Sequence, residues 1–280
     1  MKNVCAGIVT YNPNIELLNQ CFDAIYSQVE VVFIFDNGSI NANEITALKS
    51  HENVEIIFSN TNVGIAKALN RLCEEALNNG YKWIVTMDQD SICADNMVSE
   101  LIKHGMNEKY GIICPRVEFK AGDLLIHETK EQEEVKEVRA CITSGGLTRV
   151  SAWKKVGGFD EWMFIDHVDN EFCTHLCVEG YSVVRINNAV LYQRAGEMKY
   201  LKLFGGKKIL LPYYSELRNY YICRNTVYYI RKYKNHINLK HEIATFLYSQ
   251  IIKLLFEKGR KNSLLSTYRG IRDGLKKIIY

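Results

Sequence analysis

The sequence has neither a strongly unbalanced charge nor a long apolar run. A net charge of +3 over 280 residues is too small to indicate a nucleic-acid partner. No window approaches the roughly 20 apolar residues that span a bilayer, and the short apolar run behind Met1 does not resemble a signal peptide. These features predict a cytoplasmic protein, or one bound peripherally at the inner face of a membrane.

Motifs for cofactors and metals at fixed spacing are also missing. No G-x-G-x-x-G fingerprint follows the first apolar run, which argues against a dehydrogenase. Nine cysteines are scattered through the chain, and the pair Cys173 and Cys177 has no second pair at zinc-finger distance. We therefore expect free thiols in a reducing compartment rather than a zinc site or disulfides.

Short apolar runs rich in β-branched residues predict five strands, at residues 4–9, 31–35, 54–58, 83–87 and 112–114. Their apolarity is continuous rather than alternating, which is typical of strands that are covered on both faces of a parallel sheet. Helical periodicity occupies two of the intervals, at residues 15–25 and 65–76. The sequence thus predicts an α/β fold with a mostly parallel central sheet.

Polar residues cluster directly after four of these strands, at residues 10–12, 36–39, 60–62 and 88–90. In open α/β sheets, ligands bind at the carboxyl ends of the strands. Four polar clusters at one edge therefore predict a shared binding site there.

The composition changes in the second half of the chain. Residues 128–139 are highly charged and predict a solvated loop or an edge hairpin, and the acidic segment 166–171 leads into a helix that ends near Gly180. From about residue 200, tyrosines are interleaved with arginines, and an apolar, basic helical tail follows. We expect an α/β domain over residues 1–200 and a helical region over residues 201–280. The tail fits an anionic membrane surface, a dimer contact or intramolecular docking.

Seven motifs follow one another along the chain: V-T-Y-N, F-D-N-G-S, N-x-N-V-G-I-A-K-A-L-N, M-D-Q-D-S, I-T-S-G-G-L, G-G-F-D-E-x-x-F-I-D-x-V-D-x-E-F-C and Y-Y-x-x-R-N. Through them, residues 3 to 235 resemble the glycosyltransferase family 2 enzymes, and within these the bacterial rhamnosyltransferase-like branch. The resemblance implies a nucleotide-sugar-binding domain of the GT-A type and an inverting, metal-dependent transfer.

The triplet Asp88-Gln89-Asp90 matches the D-x-D element of the family. It implies a site for Mg²⁺ or Mn²⁺ that offsets the charge growing on a leaving diphosphate. Asp90 is the first-choice metal ligand and Asp88 the second. Many relatives carry histidine in an L-x-H-x-x-G segment where this chain has Gln193, whose amide oxygen is a weaker ligand.

For the donor, the resemblance implies that Asp36 accepts a hydrogen bond from the nucleotide base. An Asp-Asn-Gly turn that merely caps the strand is the alternative. The remaining expected donor contacts come from Thr10, Tyr11, Asn12, Asn60, Gly64, Lys67, Asp88, Gln89 and Arg224.

The general base is expected at Asp169, because the resemblance places an acidic pair just before Cys173. Glu171 would support it, and Asp166 is the rival for the role. The alternative is that these acids only cap the start of a helix. Trp162 and His167 are candidates for contact with the acceptor.

The expected reaction moves a sugar in a single displacement, with dTDP-L-rhamnose as the favoured donor. The acceptor would be a bacterial surface polysaccharide, capsule or O-antigen chain on a lipid carrier. UDP-galactose and UDP-galactofuranose remain alternative donors, and a nucleotide-sugar-binding scaffold without catalysis is the non-enzymatic alternative. A sugar-1-phosphate nucleotidyltransferase is disfavoured, because no glycine-rich basic loop follows the first strand.

Overall fold

The computed structural model describes residues 3–121, 124–127, 133–194, 198–202, 208–212, 215–256 and 260–279. The chain forms two compact units, of which the first comprises Met1–Phe164 with Val168–Arg194 and the second comprises Ile165–His167 with Ala195–Tyr280.

The first unit is a sheet flanked by helices. Its strands are β1 (Val4–Thr10), β2 (Val32–Asp36), β3 (Val54–Phe58), β4 (Trp83–Asp88), β5 (Ile92–Cys93), β6 (Tyr110–Ala121), β7 (Leu124–His127), β8 (Val135–Val138), β9 (Leu147–Arg149) and β10 (Ser182–Arg194). Its helices are α1 (Ile15–Tyr26), α2 (Ala42–Ile45), a 3-10 helix (Thr46–Ser50), α3 (Ile65–Asn78), α4 (Met97–Ile102), α5 (Val150–Val156) and α6 (Val168–Val178).

The strand order is β3-β2-β1-β4-β9-β6-β10-β5, with β7 paired to β6 and β8 paired to β10. The run from β3 to β4 is parallel throughout. β6 and β10 are also parallel, whereas β9 is antiparallel to both of its neighbours. The α/β fold class predicted from the sequence is confirmed, and the sheet is parallel in its first half and mixed in its second.

The core lies where the sequence is continuously apolar. Every residue of β1 is buried, as expected for a strand covered on both faces. Helix α1 packs its Phe22 and Ile25 into this core, and Asn14 caps the helix by accepting a hydrogen bond from the backbone N–H of Leu17 at 3.1 Å. The covered faces hold the sheet rigid and leave the polar residues at its carboxyl edge for binding.

The charged stretch predicted at residues 128–139 is partly strand. Residues 135–138 form β8, which pairs with β10, while residues 128–132 lie outside the described part of the chain.

The second unit consists of a hairpin of β11 (Met198–Lys202) and β12 (Lys208–Pro212), followed by α7 (Glu216–Tyr233), α8 (Leu239–Phe256) and α9 (Arg260–Lys276). α9 packs closely on α7 through two glycines. A Cβ atom at Gly270 would lie 2.5 Å from the carbonyl oxygen of Tyr220, and one at Gly274 would lie 2.5 Å from that of Arg224. No helix in the described ranges is long and apolar enough to cross a membrane.

Candidate active site

The first part of the site is the carboxyl edge of β1 and β2, where Thr10 pairs with Asp36. Asp36 is buried, and its carboxylate accepts hydrogen bonds from the Thr10 hydroxyl at 3.0 Å and from the Ser39 backbone N–H at 3.0 Å. The Ser39 hydroxyl also donates to it. These bonds form the capping turn that the sequence allows. They hold the carboxylate in place, and its contact with a nucleotide base stays a prediction.

The loop after β1 is tied to the D-x-D triplet by Gln89. The side-chain oxygen of Gln89 accepts from the backbone N–H of Tyr11 at 2.8 Å, and its amide nitrogen donates to the Tyr11 carbonyl at 3.3 Å. Asn12 has a left-handed backbone with φ of +46°, and its side chain accepts from the N–H of Ile40 at 2.8 Å. The structure therefore brings Tyr11, Asn12 and Gln89 together, with Gln89 shaping the loop.

The loop between β3 and α3 is held by Gly64. Its φ is +87°, and a Cβ atom there would lie 2.6 Å from the Phe164 ring. The N–H of Gly64 donates to the Asn62 side chain at 2.9 Å, and that of Ile65 donates to the Phe164 carbonyl at 2.8 Å. Only glycine fits this approach. Because these N–H groups already have partners, a contact from Gly64 to the donor stays a prediction.

Three further predicted residues lie at the surface of the first unit. Asn60 is exposed. The Lys67 ammonium is exposed and lies 3.9 Å from the Glu161 carboxylate. Trp162 is partly exposed, and its backbone N–H donates to the Asp160 side chain at 3.1 Å. Each of the three side chains reaches solvent, and none has a geometry that identifies a ligand.

Asp88, Asp90 and Asp169 form the electrostatic centre of the site. Burial, together with the negative charges of Asp169 and then Asp90, raises the pKa of Asp88 to about 7. The Gln193 amide nitrogen donates to the Asp88 carboxylate at 3.3 Å and lowers this pKa in part. The carboxylates of Asp90 and Asp169 thus lie close enough to Asp88 to repel its negative charge. This concentration of negative charge attracts a cation.

Two consecutive residues, Thr143 and Ser144, hold the carboxylate segments. The backbone N–H of Thr143 donates to the Asp169 side chain at 3.3 Å, and the Ser144 hydroxyl accepts from the backbone N–H of Asp88 at 3.0 Å. Sequence reasoning did not find these contacts. The I-T-S-G-G-L motif marked the segment, but neither residue carries a charge that would single it out.

Helix α6 presents the predicted base. Asp169 and Glu171 both lie in its first turn, where the helix dipole favours negative charge. Asp169 is partly exposed, whereas Glu171 is buried. A proton acceptor must reach its substrate, so the exposure of Asp169 suits that role and the burial of Glu171 suits support.

Asp166 belongs to the second unit, where α7 holds its segment. The Arg218 guanidinium donates to both carboxylate oxygens of Asp166 at 3.0 to 3.2 Å. The Asn225 side chain donates to the carbonyls of Ile165 and Asp166, each at 2.8 Å. This bidentate pair occupies both oxygens of the Asp166 carboxylate. The choice of Asp169 rather than Asp166 as the base stays a prediction.

His167 is also held by α7. The Thr226 hydroxyl lies 2.7 Å from the His167 Nε2 atom and 2.7 Å from the Ile222 carbonyl. The tautomer of the ring decides whether Nε2 or the Thr226 hydroxyl is the donor in this bond. Burial lowers the pKa of His167 to about 4, so the ring is neutral near pH 7. Its Nδ1 atom is buried and has no partner among the described residues.

Arg224, the predicted donor contact, lies in α7. Its Nε atom donates to the Asn225 side chain at 2.9 Å, and its guanidinium lies 4.6 Å from the centre of the Tyr221 ring. Burial lowers the pKa of the guanidinium. These contacts position Arg224 within the second unit, and its contact with a donor stays a prediction.

The residues at the centre fit a divalent cation only in part. Asp88 and Asp90 supply the oxygen atoms that Mg²⁺ or Mn²⁺ prefers. Gln193, as placed, turns its amide nitrogen toward Asp88. In the part of the chain that the structure describes, no three histidine, cysteine or acidic side chains are grouped to hold a metal ion. The set fits an ion that takes its remaining ligands from a diphosphate.

Comparison with known proteins places this site in context. The family model described as "Glycosyl transferase family 2" matches residues 5–158. A curated relative, the dTDP-rhamnosyl transferase RfbF of Shigella flexneri, is 31% identical over 97% of this chain and 96% of its own length.

Solved structures share the fold at low sequence identity. The structure of TarS 1–349 from S. aureus with UDP-GlcNAc superposes with a TM-score of 0.67 at 14% identity, over 99% of this chain and 81% of that one. The structure of GalNAc-T7 with UDP, GalNAc and Mn²⁺ gives a TM-score of 0.65 at 12% identity, over 99% of this chain and 56% of that one. The fold is therefore of the GT-A type. Together with the site, these matches show that the chain is a glycosyltransferase and belongs to glycosyltransferase family 2.

Proposed function

We propose that this glycosyltransferase transfers L-rhamnose from dTDP-L-rhamnose, with inversion, to a growing bacterial surface polysaccharide or O-antigen chain on a lipid carrier. The reaction type is carried by one observation, the cluster of Asp88, Asp90 and Asp169 at the carboxyl edge of the sheet. The choice of donor is supported by the 31% identity to a dTDP-rhamnosyl transferase.

A divalent cation, Mg²⁺ or Mn²⁺, would be held by Asp90 and Asp88. When bound, it would offset the negative charge that grows on the departing diphosphate. The raised pKa of Asp88 supports such a site, because burial and the repulsion from Asp169 and Asp90, which together raise it, are offset by a nearby positive charge.

Asp169 acts as the general base. The acceptor hydroxyl attacks the anomeric carbon, the bond from that carbon to the diphosphate oxygen breaks, and the hydroxyl proton passes to the Asp169 carboxylate. The N–H of Thr143 orients the carboxylate by a bond to one of its oxygens. The start of α6 favours its charged form before the proton arrives.

The second unit is proposed to serve the acceptor or the membrane that carries it. In this proposal, His167 contacts the acceptor sugar, and the contact expected from Trp162 stays a prediction.

The donor can be tested with a panel of nucleotide sugars. We expect dTDP-L-rhamnose to raise the melting temperature and to be hydrolysed slowly, more so with Mn²⁺ than with a chelator. UDP-galactose and UDP-galactofuranose should give weaker responses. A response to a uridine-linked donor alone would contradict the rhamnose proposal. The absence of a response to any donor would contradict the proposed donor site. Asp90→Asn tests the metal site separately, because the difference between Mn²⁺ and a chelator should disappear in this variant.

A further inference from the structure

Helix α8 exposes apolar side chains along one face. Ile243, Leu247 and Ile251 follow at intervals of four residues, so they lie on one side of the helix. They are 41%, 54% and 54% exposed, and Tyr248 beside them is 67% exposed. None of the α8 side chains that the structure describes is buried. An apolar face of this extent in water calls for a partner outside the chain.

Two polar side chains of α8 contact the neighbouring helices. Gln250 accepts a hydrogen bond from the Thr267 hydroxyl of α9 at 3.1 Å, and the Lys253 ammonium donates to the Asn219 side chain of α7 at 2.5 Å. A surface helix of a water-soluble domain normally turns its apolar face to the core. On α8, Ile243, Leu247 and Ile251 are exposed, whereas Gln250 and Lys253 contact α9 and α7, and Phe246 and Ile252 are partly buried.

The same part of the chain is rich in positive charge. Residues 239–280 contain nine lysine or arginine residues and three acidic residues, a charge of +6 in a chain whose net charge is +3. α9 exposes Arg269, Arg272 and Lys276 beside Tyr268, which is 63% exposed. Apolar side chains combined with surrounding cations match an anionic lipid surface, where both interactions act together.

We propose that α8 lies on an anionic lipid bilayer, with Ile243, Leu247 and Ile251 inserted among the acyl chains and the basic side chains at the headgroups. A second copy of the chain is a poorer occupant, because two regions of charge +6 would repel each other. The inference agrees with a lipid-carried acceptor but does not depend on the proposed donor or base.

The test is sedimentation of the full chain with vesicles of phosphatidylcholine, with and without phosphatidylglycerol. We expect binding to the anionic vesicles, weaker at high salt. The triple variant Ile243→Ser, Leu247→Ser, Ile251→Ser should bind at least about tenfold more weakly, because three inserted aliphatic side chains are lost. Met106→Ser is the matched control, since Met106 is 90% exposed in the first unit and has no part in the site. It should bind as the wild type does.

Two outcomes would overturn the proposal: no binding of the wild type to anionic vesicles, or equal binding by the triple variant. A dimer that becomes monomeric in the triple variant, with no vesicle binding, would assign the face to a second copy instead. Donor hydrolysis without vesicles is measured in parallel. If it persists while vesicle binding fails, only the membrane inference falls, and if it is absent while binding holds, only the proposed function falls.

Discussion

Asp166 and His167 adopt left-handed backbone conformations in succession, with φ of +65° and +62°. Such a conformation is unfavourable for residues other than glycine and persists only when surrounding contacts hold it. Here the contacts come from α7, through Arg218 to the Asp166 carboxylate and through Asn225 to two backbone carbonyls. The strained pair directly precedes the helix that carries Asp169. Strain held by several hydrogen bonds in this position is typical of a functional segment.

His167 gives a pH dependence of stability. Burial lowers its pKa from 6.5 to about 4 in the folded chain. Between these values the unfolded chain binds the extra proton and the folded chain does not, so stability is lost as pH falls below about 6.5. When the pH is lowered from 7 to 4.5, the free energy of unfolding of His167→Asn should fall by roughly 2 kcal/mol less than that of the wild type. Urea unfolding measures both values. Asparagine tolerates the left-handed backbone, and parallel pH curves would refute the buried neutral ring.

The base is tested by Asp169→Asn. The variant cannot take the proton of the acceptor hydroxyl, so the rate of transfer should fall by about 10²- to 10⁴-fold. Binding of the nucleotide sugar should persist, because the change removes no group assigned to the donor. The control Asp23→Asn alters an exposed acid on α1 and should leave both unchanged. Transfer at the wild-type rate in Asp169→Asn would contradict this assignment and favour Asp166 as the general base.

At the scale of single residues, the sequence predicts positions better than contacts. Asp88 and Asp90 could be chosen because they follow a predicted strand and match the D-x-D element, and Asp169 because the family resemblance places the base just before Cys173. The partners of these acids are distant. Thr143 is 26 positions from Asp169, and Arg218 is 52 positions from Asp166. No local pattern connects them, so only folding reveals that an arginine offsets the charge of Asp166 and that a backbone N–H orients Asp169.

Elements with a continuous apolar run or a clear helical period were predicted most accurately. The first four strands and the helices α1 and α3 occur where the apolar patterns placed them. β9 and β5 have three and two residues and were not predicted, because strands that short carry no periodicity. β6 runs to twelve residues, far beyond its apolar start, since pairing with β10 extends it into polar sequence.

The start of α3 can be tested by comparing two glycines with similar φ angles. Gly64 and Gly80 have φ of +87° and +78°, but a Cβ atom at Gly64 would lie 2.6 Å from Phe164, whereas one at Gly80 meets nothing within 4 Å. Alanine strains the backbone by about 1 kcal/mol or more at either site, and more at Gly64, whose ψ of 163° lies in a region almost exclusive to glycine. Gly64→Ala should cost about 1–3 kcal/mol more than Gly80→Ala in urea unfolding because of the clash, and it should raise the donor KM. Equal losses of stability would show that the loop moves enough to avoid the clash between the new Cβ atom and Phe164.

The burial of the cysteine thiols reflects the packing of the whole folded chain. All nine cysteines are free thiols. Seven are buried, Cys141 is partly buried, and Cys177 is exposed. Burial raises the pKa of several buried thiols, to about 12 for Cys93, which keeps them protonated near neutral pH. Access to reagent and thiolate formation are therefore both set by the packing.

Alkylation therefore gives a map of the fold. Iodoacetamide under native conditions should modify Cys177 first and Cys141 more slowly, while the seven buried cysteines should react only after unfolding in guanidinium. Mass spectrometry of digested protein measures each site, and Cys177→Ser should lose the fast phase without a change in melting temperature. Rapid native modification of Cys5, Cys73 or Cys223 would contradict the packing, since these lie in β1, α3 and α7. Such a result would require a different arrangement of the elements that carry the site.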